Sequence, residues 1–130
     1  MVWTNWSFIR LVILLLGVAY LMISVQVSLF HYRQNFRHPA MWLPVLGGPV
    51  IGLCSVLLAL LNLHVLLGLF RVLSWVILIA GGTGFYYHFR GVGQRVGGYG
   101  MNNILIGPPI VLPLMFSALS IVGLFAAYWR

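Results

Sequence analysis

Four histidines and seven arginines are the side chains of this 130-residue sequence that carry or readily acquire charge near neutrality; Asp and Glu total zero and no Lys is present. Imidazole can ligate a metal or exchange a proton, and guanidinium pairs with carboxylate or phosphate. His31, His38 and His88 fall at the ends of apolar stretches, close in sequence to Arg33, Arg37, Arg90 and Arg95. Such a group could hold a b-type haem, with two imidazoles as axial ligands and arginines on the propionates. One imidazole on a bacteriochlorophyll magnesium, or on a quinone head, would use the same residues. His31 and His88 are the expected cofactor ligands. Against this, all three positions look interfacial, whereas a haem ligand is usually deep inside a bundle, and His64 is alone at the other face. No close-spaced ligand motif points to zinc or another metal site.

Arg71 is the second candidate. His64, Gly68, Arg71, Trp75, Leu78 and Gly82 recur at spacings of three and four, which puts them on one helical stripe that is expected to avoid lipid. With no acid in the chain, Arg71 either snorkels to the nearer interface or stacks on Trp75, or it meets an acidic group from outside: a partner subunit's Asp or Glu, a lipid phosphate or a cofactor carboxylate. Arg33, Arg37, Arg71, Trp75, Arg90 and Arg95 are thus the expected partner or lipid contacts.

The missing carboxylates exclude much chemistry. Glycoside hydrolysis by paired acids, a Ser-His-Asp triad, carboxylate-bound calcium or magnesium and a Glu or Asp proton relay all need side chains this sequence lacks. The expectation is therefore a protein that is not an enzyme. Gly91-Val92-Gly93-Gln94-Arg95-Val96-Gly97-Gly98 lacks the G-x-G-x-x-G spacing and any following Gly-Lys-Ser/Thr, so it is expected as a flexible basic loop on headgroups or a partner. Cys54 lies in an apolar run and is expected as a small buried hydrophobe. Asn5-Trp6-Ser7 fits the glycosylation pattern but lies too near the first span to be trusted.

These residues must be positioned by helices in lipid. Hydrophobic residues make up 62% and charged residues 5% of the sequence, with mean hydropathy +1.07, so a soluble domain would have no polar surface. Four stretches, approximately Phe8 to Phe30, Met41 to Leu61, Val65 to Tyr87 and Pro109 to Tyr128, each approach the ~20 residues that cross a bilayer. The fold class expected is all-α: a single domain over residues 1–130, an integral membrane bundle of four transmembrane helices with short connections. The first stretch is expected as a retained helix, because no small-residue cleavage site follows it. Pro44, Pro49 and Pro113 favour bends. Gly48 and Gly52, Gly68 and Gly82, and the strip Ser117, Ser120 and Gly123 are expected to let helices approach closely.

Trp3, Trp6, Tyr128 and Trp129 mark one interface; Tyr32, Phe36, Trp42, Tyr86, Tyr87 and Phe89 mark the other. Arg33, Arg37, Arg90 and Arg95 on the two longer connections outweigh Arg10, Arg71 and Arg130, so the connections are expected in the cytoplasm and both termini outside, in a bacterial inner membrane. The net charge of +7 then faces anionic lipids and acidic partner subunits; nucleic acid is not expected. No soluble substrate is evident either. The function that follows is a non-catalytic small integral subunit of a larger membrane complex, energy-transducing by analogy with the small hydrophobic subunits of respiratory or photosynthetic assemblies. The alternatives are a haem b, bacteriochlorophyll or quinone-binding anchor, and a small transporter or channel whose path Gln26, Asn62 and Arg71 would line.

Overall fold

A computed structural model of the protein describes residues 1–129, with helix α1 at Phe8–Arg33, α2 at Trp42–Leu61, α3 at His64–Arg95, the short α4 at Met101–Ile106 and α5 at Val111–Tyr128. Arg130, counted above among the terminal charges, lies outside the described residues. A 3-10 turn, Pro39–Met41, leads into α2. Among the described residues, α1, Pro39–Leu61, α3 and α5 are long and apolar enough to cross a membrane, and the chain is an all-α bundle of four such helices.

The helices end where side chains or special backbone can satisfy their free groups. The Ser7 hydroxyl accepts the Arg10 N–H (3.3 Å) at the start of α1, which gives the serine of the Asn5-Trp6-Ser7 triplet a capping role. α1 breaks where Asn35 and Phe36 adopt left-handed φ of 53° and 46°, and Phe36 then stacks on Trp42 with centroids 4.1 Å apart. α2 ends at Asn62, left-handed at φ 56°. Its side-chain oxygen accepts the N–H groups of Val2 and Trp3, both at 2.9 Å, and its amide donates to the Trp3 carbonyl at 2.6 Å. The α2–α3 hairpin tip is thereby tied to the segment before α1.

Packing is by close approach of backbones, as a bundle in lipid requires when hydrophobicity cannot sort one helix from another. α1 packs along α2 and α3 along α5; α2–α3 and the slimmer α1–α5 contact close the ring. A Cβ on Gly17 would lie 2.9 Å from the Gly52 carbonyl, and one on Gly52 3.2 Å from the Gly17 carbonyl, so these two helices touch main chain to main chain. A Cβ on Gly48 would run into the Ser24 hydroxyl and the Phe116 ring. Across α1–α5 the Tyr20 hydroxyl and Ser120 share a hydrogen bond of 2.7 Å, and across α3–α5 the Ser117 hydroxyl donates to the Leu78 carbonyl at 3.0 Å. Gly123 faces the Phe70 ring, with Ser74 beside it. Ile13, Tyr20, Ile51, Leu58 and Phe70 are fully buried at the centre.

Several boundaries and one helix face differ from expectation. α1 continues past Phe30 to Arg33, and α5 starts at Val111, beyond the Pro108-Pro109 pair. α3 runs through Arg95 instead of stopping near Tyr87, so residues 91–95 of the expected loop are helical. The chain turns only at Gly97 and Gly98, where φ is +82° and +133°. Its 32 residues reach about 48 Å, well past ~30 Å of hydrocarbon. The stripe of His64, Gly68, Arg71, Trp75, Leu78 and Gly82 was expected to avoid lipid. His64, Gly68, Trp75 and Gly82 are instead exposed on the outer surface, and a Cβ on Gly68 or Gly82 would meet nothing within 4 Å. The packed face is one position round: Leu67, Phe70, Ser74, Ile77 and Gly81. Gly81 is the close-contact glycine, 2.8 Å from the Pro113 carbonyl by the same measure.

Candidate functional site

The packed face of α3 continues toward the long connections as Gly81, Gly84, His88 and Gly91, at steps of three and four, and the same series ends on the exposed Arg95. Glycines flank His88 for a physical reason. Pro113 lies against Gly84 (3.2 Å to a Cβ) and Pro108 against Gly91 (3.1 Å), so α5 and the segment before it come in on both sides of the imidazole. The His88 Nδ1 then lies 2.6 Å from the Pro109 carbonyl. A carbonyl only accepts, so Nδ1 carries the hydrogen and Nε2 is the nitrogen left for a ligand.

α1 brings His31 to the same place from the opposite corner of the bundle. His31 is buried, its Nδ1 has no hydrogen-bond partner among the described residues, and its ring centroid is 6.3 Å from that of His88 at an interplanar angle of 71°. His38, at the start of the 3-10 turn, accepts the Ala40 N–H through Nδ1 (3.1 Å) and leans on Tyr87 with centroids 5.1 Å apart. Sequence reasoning brings these three histidines to one membrane face, and the geometry puts all three on the wall of one cavity of about 360 Å³.

The cavity is two-toned. Gln34, Gln94, Arg90 and Arg95 line its outer part, and Ile77, Leu112 and Phe116 line its floor inside the bundle. At interior packing density the volume corresponds to roughly 20 non-hydrogen atoms, a headgroup with the first part of a chain or a quinone ring. No side chain of this sequence can supply a carboxylate to balance Arg90 and Arg95.

The other expected contact residues are dispersed. Arg33 is exposed at the same end, and Arg37, also exposed, donates to the Gln34 side-chain oxygen at 3.0 Å. Arg71 lies toward the other end. It does not stack on Trp75: its Nε and one terminal nitrogen donate to the Ala127 carbonyl (3.2 and 2.6 Å), and its guanidinium lies over the Tyr128 ring at 4.5 Å. Of the alternatives, stacking on Trp75 is replaced by a carbonyl and the Tyr128 ring. Trp75 is exposed beside a shallow apolar groove shared with Phe125 and Tyr128. Gln26, Asn62 and Arg71 lie apart: Gln26 is exposed, Asn62 is bound to Val2 and Trp3, and Arg71 is engaged at Ala127.

Three features escaped sequence reasoning. Arg10 is buried, donating to the Ala59 carbonyl at 2.6 Å and the Leu60 carbonyl at 3.2 Å, with the Trp6 ring 4.1 Å away. Gln34 carried a signal, since it falls three residues after His31 on the same helical face. The Pro109 carbonyl carried none, because main chain is invisible in a residue pattern. Comparison with protein-family models, curated proteins and solved structures finds no match.

Proposed function

We propose that this protein is a non-catalytic integral membrane subunit that holds a lipid-soluble ligand in the cavity at the connection end of its bundle. One observation carries the reading: His31 and His88, from helices at opposite corners, converge at 6.3 Å within a cavity whose rim is cationic and whose floor is apolar. The subunit role rests on how little of the chain lies outside the four spanning helices.

The orientation in this reading is supported by where the arginines remain available. Arg10 and Arg71, toward the opposite end, are bound to helix carbonyls, while Arg33, Arg90 and Arg95 make no hydrogen bond through their side chains to any described residue. The connection end therefore faces the cytoplasm of a bacterial inner membrane, where anionic lipid and the positive-inside bias favour it.

A second reading is axial ligation of a haem iron or bacteriochlorophyll magnesium. It is favoured by the His88–Pro109 hydrogen bond, since a ligating imidazole usually donates its other nitrogen to a carbonyl or carboxylate. Mild-detergent extraction from the native membrane, followed by native mass spectrometry and a visible spectrum, tests both readings. A bound small molecule lost on replacing His31 and His88 together by Ala supports the holder reading. A Soret or chlorin band lost with it selects the second. A particle with empty cavities throughout overturns both.

A further inference from the structure

The polar wall of the cavity has a chemical bias that goes beyond a generic lipid-soluble ligand. We propose, resting on the ligand-holding reading, that the occupant is an amphiphile with a compact anionic head, a phosphate or carboxylate, seated at Arg90 and Arg95 with its chain running inward past Ile77 and Phe116.

Three observations converge on an anion. Both arginines line the cavity, and neither donates a side-chain hydrogen bond to any described residue. The two other cations whose environment is polar main chain, Arg10 and Arg71, show how this fold treats an arginine it keeps: each is placed on carbonyl oxygens. Arg90 and Arg95 have no such placement: both are exposed, and neither donates to a carbonyl of any described residue. Two guanidinium groups on the cavity wall thus keep their donors open in a sequence with no carboxylate to receive them, which suits a ligand rich in acceptors.

The apolar half sets the rest of the ligand. Ile77 and Arg95 are eighteen residues apart on α3, roughly 27 Å along the helix axis, and both line the same cavity. A small inorganic anion would fill only the outer end. A neutral quinone would fill the inner part but leave both guanidinium groups without a counter-charge.

The test uses the full chain purified in a neutral maltoside detergent and native mass spectrometry with defined probes. Expected is saturable binding of one phosphatidic acid or one long-chain fatty acid, with diacylglycerol and inorganic phosphate at least tenfold weaker. Arg90→Gln with Arg95→Gln should lower the anionic affinity at least tenfold. Arg90→Lys with Arg95→Lys, which keeps the charge, should retain most of it and exclude misfolding as the cause. Whether phosphatidic acid or the fatty acid binds tighter separates phosphate from carboxylate heads. Equal binding by the Gln double variant, or tighter binding of decylubiquinone than of either anion, overturns the anionic inference while leaving the holder reading intact. No binding of any probe at one copy per chain removes both.

Discussion

Arg10 on α1 and Arg71 on α3 do the same thing to two different helices: each reaches across a helix interface, toward the end of the bundle remote from the cavity, and donates to main-chain carbonyls in the last turn of its neighbour. Arg10 takes Ala59 and Leu60 of α2, and Arg71 takes Ala127 of α5. The last four carbonyls of a helix lack an internal partner and carry its partial negative charge, so a guanidinium is the complement a chain without acids can still provide. Aromatic rings complete both sites, Trp6 for Arg10 and Tyr128 for Arg71.

Arg10→Leu should therefore destabilise the bundle more than Arg71→Leu. The buried Arg10 serves two carbonyls that would be left unpaired, at about 2–4 kcal/mol together, whereas Arg71 is only half-buried and serves one. Unfolding by SDS titration from maltoside micelles measures the order. Equal losses would show that these carbonyls find water when the arginine is gone.

The two neighbouring glycines of α3 should respond in opposite senses. Gly81→Ala drives a Cβ into the Pro113 carbonyl and the Ser117 nitrogen, main-chain atoms that cannot swing aside, and should cost about 1–3 kcal/mol. Gly82→Ala meets open space and should gain up to about 1 kcal/mol from helix propensity. The same SDS titration reads both; a loss at position 82 would show that another chain covers that face.

Tyr20 and Ser120 should behave as one unit. Tyr20→Phe or Ser120→Ala each strands a buried hydroxyl or removes its partner, for about 1 kcal/mol, and the double variant should be little worse than either single change. Additive losses would show that the hydroxyls act separately.

Orientation can be read with a thiol probe, because the sole native cysteine, Cys54, is buried. Arg37→Cys, on the exposed connection before α2, should escape a membrane-impermeant maleimide in intact cells and react after permeabilisation. Labelling in intact cells would invert the assignment.

Composition and hydropathy made the four spanning helices legible, since an apolar stretch of about twenty residues without acids admits few other structures in lipid. Helix rotation was less legible. Period 3.6 marks every stripe of an apolar helix about equally, and on α3 the conspicuous residues Arg71 and Trp75 drew the stripe one position away from the packed one. Gly81, Gly84, His88, Gly91 and Arg95 form an equally regular series, but its meaning depends on Pro108 and Pro113 arriving from the other side. That His31, His38 and His88 lie toward one end of the bundle was readable from topology alone. Their separation, the cavity between them and the Pro109 carbonyl were not, because each depends on how far the glycines let α5 approach.

The unequal lengths of α3 and α5 determine how the molecule must sit in its bilayer. α5 has 18 residues and reaches about 27 Å, slightly less than an average hydrocarbon core, and α3, held alongside it, overshoots by several turns. Hydrophobic matching is therefore governed by the shortest span: a thicker membrane must thin around α5, and that adjustment moves the overhang of α3 relative to the headgroups. Bilayer thickness would then be a variable to which the arginine-lined mouth is directly exposed.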